Sequence, residues 1–144
     1  MEINPEDEVK YRRELAKEHL NSAIKRFQAE DWPGVVQASQ LAAENAAKTV
    51  IAHFHLPSWS HDPSSELKEI ISNIPNKLQN EVNKLIKIVE TLAPEHGRTS
   101  YGITLKGITP TQLYDKHKAE KALSMAYEAL KISEKILKHL GYIE

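Results

Sequence analysis

Apolar side chains recur at intervals of three and four along most of the chain, the period of a helix with one buried face. Prolines stand where one such run stops and another begins: Pro5, Pro33, Pro57, Pro63, Pro75, Pro94 and Pro110. A helix accepts proline in its first turn, where the missing N–H has no intrahelical partner, and rejects it further in. Over about 5–30, Val9, Ala16, Leu20, Ala23, Ile24 and Phe27 make a single stripe. Asn4 is placed to cap that helix, and Glu6, Asp7 and Glu8 suit the positive end of its dipole. Asp31 caps a second helix entered through Pro33-Gly34, with the stripe Val35, Ala38, Leu41, Ala42, Asn45, Ala46, Val50 and Phe54. Its small residues let a neighbouring helix come close.

Pro57-Ser-Trp-Ser reads as a loop, and Asp62-Pro63 as an N-cap and first helical position ahead of a short third helix ending near Ile71. Pro75 restarts a fourth helix in which Leu78, Val82, Leu85, Val89 and Leu92 step by four and three, a heptad-like seam. From Pro94 to Ile108 the period fails. Gly97, Gly102 and Gly107 lie in this stretch, which is expected to be a long loop, with a brief extended piece where Tyr101, Ile103 and Leu105 alternate. Thr109-Pro110-Thr111-Gln112 fits a capping box for a last helix. Its inner side carries Ala119, Ala122, Leu123, Ala126, Leu130, Ser133, Ile136, Leu137 and Leu140, and Gly141 ends it.

These runs predict one all-α domain over 1–144: an antiparallel up-and-down bundle of four long helices plus one short helix. Composition adds exclusions. With 19 basic against 20 acidic residues, no global field calls for nucleic acid or a membrane surface. The absence of cysteine removes disulfides, thiol catalysis and cysteine-ligated zinc. No run of about 18 apolar residues is present. Met1-Glu-Ile-Asn-Pro has neither the basic start nor the apolar core of a secretory leader, so the expected location is cytoplasmic.

The stretch Ala42–Leu67 is the most informative, because it mixes close-packing alanines with polar groups. Glu44 and Lys48 lie in the alanine-rich second helix, His61-Asp62 opens the short helix, Arg98-Thr-Ser-Tyr101-Gly102 follows the fourth, and Tyr114 leads into Ala119, Ala122 and Ala126. In that order and spacing the chain resembles the HEPN domain (higher eukaryotes and prokaryotes nucleotide-binding) from about Tyr11 to Leu140. The resemblance implies a helical bundle, homodimerisation, and nucleotide or RNA handling. It also implies a nucleotidyltransferase partner in a toxin–antitoxin-type system. Catalytic members of the family are metal-independent ribonucleases with an arginine followed four to six residues later by a histidine. Here Arg98 is followed by Thr-Ser-Tyr-Gly-Ile-Thr-Leu and no histidine occurs until His117, so that role is not carried over. Arg12 and His19, seven apart, share a face of the first helix, and Arg13 and His19 do not. His96, His117 and His19 are the histidines left for an unorthodox ribonuclease, and an adaptor without catalysis is the third reading.

Each candidate residue has a plain reading beside a functional one. Glu44 and Lys48, four apart, are either a surface ion pair or two sides of a polar notch facing a ligand or partner. His61 either completes a cap or lines a cleft near Trp59, and Trp59 is either a lid on the core or a stacking platform. Arg98, between His96 and Tyr101, is the residue best suited to grip a phosphate, with Tyr101 to stack and Lys106 alongside. From His96 to Lys121 five basic residues (Arg98, Lys106, Lys116, Lys118, Lys121) meet two acidic ones (Asp115, Glu120), a local balance of +3. The candidate anion site is therefore Arg98, Tyr101, Lys106, His61 and Asp62, with Glu44, Lys48, Trp59, Tyr114 and His117 at a partner surface or cleft. No cofactor or metal is expected. His53 and His55 are too close to share a helix face, and His-Glu-x-x-His, a P-loop, a nucleophile elbow and Glu-x-x-His pairs are all missing.

Overall fold

The computed structural model describes residues 4–144, which leaves Met1–Ile3, part of the basis for the leader expectation, outside the described residues. Those described are all-helical. Seven α-helices run in order: α1 Pro5–Gln28, α2 Trp32–Phe54, α3 Ser64–Ile70, α4 Asn76–Leu92, α5 Glu95–Tyr101, α6 Pro110–Leu113 and α7 Lys116–His139. The expected four long helices are α1, α2, α4 and α7, but three short ones accompany them in place of one.

Local chemistry sets several of the ends. Asn4 Oδ1 accepts from the Glu6 amide at 3.0 Å, and Asp31 Oδ1 from that of Gly34 at 3.0 Å. Each bond satisfies a donor with no intrahelical partner. Asp62 is not the N-cap that the sequence implies: Pro63 takes that position, and Asp62, one residue outside it, accepts from the Ser64 amide through Oδ1 at 3.0 Å. Gly141, at φ +88°, closes α7 in a Schellman motif: its amide reaches the Lys138 carbonyl and that of Tyr142 reaches Leu137.

Two further expectations are corrected. The stretch 94–109 is not an open loop. It holds α5, a 3-10 turn at Thr104–Lys106, and one antiparallel bridge between Ile103 and Ile108 in place of an extended segment. Gly102 makes the corner at φ +67°, where a Cβ would sit 1.9 Å from the Ile108 carbonyl oxygen. Only glycine fits there. The final helix is also not continuous from Pro110. The capping box at Thr109 and Gln112 forms and starts α6, but Asp115 then accepts from the Lys118 amide at 2.9 Å and starts α7 afresh.

α2 is the axis. It packs against each of the other six helices, and seventeen of its residues are buried, from Gly34 to Ala52. Arg12 meets Asn45 and Arg26 meets Gln37, so α1 and α2 run antiparallel. Arg13 pairs with Glu134 of α7 at 2.8 Å, and the α4 seam (Leu78, Val82, Leu85, Val89, Leu92) is buried throughout. In α7, Ala129 and Ile132 belong to the core in addition to the expected stripe, while Leu123, Leu130 and Leu140 lie at its margin. The main core is rich in alanine and valine on α2, which is what lets so many helices surround it.

Candidate functional site

Burying a polar side chain without a partner is costly, yet α2 carries Ser39, Gln40, Glu44, Asn45, Lys48 and Thr49, all buried, and of these the Ser39 hydroxyl has no hydrogen bond among the described residues. The hydrogen bonds of the other five explain how. Thr49 and Asn45 turn back onto α2 carbonyls at 2.7 Å and 2.9 Å, as short polar side chains do within helices. Glu44 is the centre of the rest. Its Oε2 is 3.3 Å from Lys48 Nζ, and its Oε1 accepts from Gln40 Nε2 and from His61 Nδ1, both at 3.0 Å. The surface ion pair is thus excluded: the two side chains are 6% and 3% exposed.

Two other segments converge on this carboxylate. The loop between α2 and α3 brings His61, and α5 brings His96, whose Nδ1 donates to Gln40 Oε1 at 3.1 Å. The two imidazoles stack, with centroids 3.5 Å apart and planes 18° from parallel. Burial holds His96 below the ordinary histidine value; the neighbouring His61 adds to this and Glu44 opposes it. His19, half-buried on α1, is also held low by burial, against the raising influence of Glu18 and Glu44. A Glu44 oxygen and one ring nitrogen from each of His61 and His96 lie within 4.8 Å of one another, a grouping that can hold a metal ion. The sequence offers His96 only as a spare histidine. Its junction with Glu44 depends on α5, which the glycine-rich stretch conceals.

The remaining candidates divide. Arg98 lies on α5, not in a loop, half-exposed, with its guanidinium 3.6 Å from Glu95 Oε1. Tyr101, one turn on, is 72% exposed. Tyr114 is buried and donates to the Glu95 carboxylate, and burial first, then this bond, lifts its pKa well above the ordinary tyrosine value. Tyr114 and Glu95 line a pocket of about 250 Å³ together with Lys118, Lys121 and Val36. Lys106 and His117 are exposed, on the 3-10 turn and the first turn of α7. Asp62 is exposed just ahead of α3, where its Oδ1 accepts from the Ser64 amide. Trp59 is 94% exposed, so it is no lid on the core. Ser58, bonded through its amide and hydroxyl to Glu66, and Ser60, bonded to the Asp62 carbonyl, tie down the loop around Trp59 and leave the indole in solvent.

Comparison with known proteins adds to this geometry. The crystal structure of TT1696 from Thermus thermophilus superimposes with a TM-score of 0.74 at 22% identity, over 90% of this chain and 98% of that one, which makes it a match of fold. No curated protein matches the chain. No helix among the described residues is long and apolar enough to cross a membrane. The family model for the HEPN domain matches residues 9–137, nearly the whole length. By its sequence over that span, the chain belongs to the HEPN domain family.

Proposed function

We propose that this HEPN-domain protein is a homodimeric binding module for a phosphate-bearing ligand, a nucleotide or a short single-stranded RNA. The surface where the α2–α3 loop meets α5 is the binding edge. One observation carries the reading: the stacked His61 and His96 join two segments that display a guanidinium and large aromatic faces to solvent. Arg98 offers a planar cation for phosphate, and Tyr101 and Trp59 offer faces on which bases stack. Base stacking is sequence-tolerant, which suits a module that handles nucleotides broadly. Lys106 extends the basic edge, and His61 and Asp62 border it. A nucleotidyltransferase partner and a toxin–antitoxin setting extend the same reading from the family.

Calorimetric titration with nucleotides and with a short RNA oligomer tests it. Wild type is expected to bind with salt-sensitive affinity, and Arg98→Ala to lose about tenfold or more, as expected for a charged hydrogen bond worth roughly 1.5–3 kcal/mol. Equal affinity in both proteins, or no binding by either, would remove this edge as the site.

A further inference from the structure

We propose that Glu44, His61 and His96 form a site for a divalent transition-metal ion of the zinc class, held by three protein ligands with a further position open to solvent. The site does not depend on the nucleotide reading. It is built from three separate elements, α2, the α2–α3 loop and α5, whose donor atoms all lie within 4.8 Å of one another. Two imidazoles and one carboxylate suit zinc, cobalt or nickel; calcium and magnesium prefer all-oxygen sets. Three protein ligands with one vacant position is the arrangement of zinc sites that bind an exchangeable water or ligand.

The supporting groups are arranged as such a site requires. Gln40 holds two of the ligands at once, its amide nitrogen 3.0 Å from Glu44 Oε1 and its oxygen 3.1 Å from His96 Nδ1. Lys48 engages the other carboxylate oxygen, at 3.3 Å. That contact fixes the plane of the group and leaves Oε1 facing the histidines. His61 Nδ1 and Glu44 Oε1 are 3.0 Å apart. This is a little under the separation of two ligands on a tetrahedral ion with bonds of about 2.0–2.1 Å. The parallel imidazoles do not yet point at a common centre. The adjustment falls to His61, which is half-exposed on a loop: turning its ring brings a lone pair onto the ion while Glu44 and His96 keep their anchors. A hydrogen-bonded histidine–glutamate pair alone would account for the His61 contact. It would not require a second histidine stacked on the first and tied to the same turn of α2.

Titration of chelator-treated full-length protein with zinc, followed by calorimetry, and with cobalt, followed by visible absorption, decides the matter. Wild type is expected to take one equivalent and to give the intense visible bands of four-coordinate cobalt. His61→Ala and His96→Ala should each weaken binding about tenfold or more. His139→Ala, at the exposed end of α7, should leave it unchanged. Zinc should raise the melting temperature of wild type and not that of His61→Ala. Circular dichroism checks each fold; should His96→Ala fail to fold, His61→Ala, altered on an exposed loop, is sufficient alone. No uptake by wild type, or uptake of equal affinity in the histidine variants, overturns the proposal.

Discussion

Glu44 and Lys48 illustrate how one spacing carries two different energies. Four apart on a helix, they read as a solvent-exposed pair worth roughly 0.2–0.5 kcal/mol. In the fold both are buried, and each depends on the other to offset the cost of leaving water. Lys48→Met is therefore expected to destabilise the protein by about 3–5 kcal/mol in urea denaturation, because it removes the lysine that balances a buried carboxylate and leaves Oε2 without its partner. The double variant Glu44→Gln/Lys48→Met should recover much of that loss. A single-variant cost below about 1 kcal/mol, the range of exposed pairs, would show that water reaches the two charges. The spacing is legible in the sequence; the burial is not, since it comes from the helices packed around α2 and from His61 and His96, which lie far from Glu44 along the chain. Trp59 is the opposite case: its size suggests a lid, but short hydrogen-bonded turns of serine hold the loop with the indole outside.

Among the elements, α4 is legible in its whole seam, because those positions alternate with polar ones; Ile86, also buried, lies beside the seam. Leu85→Ala is expected to cost about 2–5 kcal/mol with an unchanged dependence on denaturant, as measured by chemical unfolding. A much smaller cost would mean that the seam collapses around the gap. α5 leaves no such signal. Thr99 is its one buried residue, Gly97 sits in its middle, and it lasts seven residues before Gly102 turns the chain. Periodicity needs several turns to be visible, so a two-turn helix bearing one buried side chain looks like loop. The division between α6 and α7 is hidden for a related reason. The capping box at Thr109 is a strong start signal, and it masks the second start signal at Asp115 a few residues later.

At the scale of the molecule, the all-helical class and the four long helices follow from pattern alone. The meeting of His61, His96 and Glu44 does not, because it needs a loop and a short helix placed by the packing of the others. Global stability should also reflect Tyr114, whose ionisation the fold resists. In the unfolded chain this phenol ionises near pH ~10, so its contribution is complete below that value and is lost as pH climbs from there through the raised folded value. Denaturation midpoints should fall above about pH 10 in wild type, and less steeply in Tyr114→Phe. Identical slopes would show that the hydroxyl ionises freely in the fold. α2, finally, has a history implied by its position. Its last cover, α7, is made after it, so on the ribosome a finished α2 must wait with one flank uncovered until α7 has emerged. Until then the nascent chain shows the cell an alanine-rich rod with an open flank, a natural foothold for chaperones.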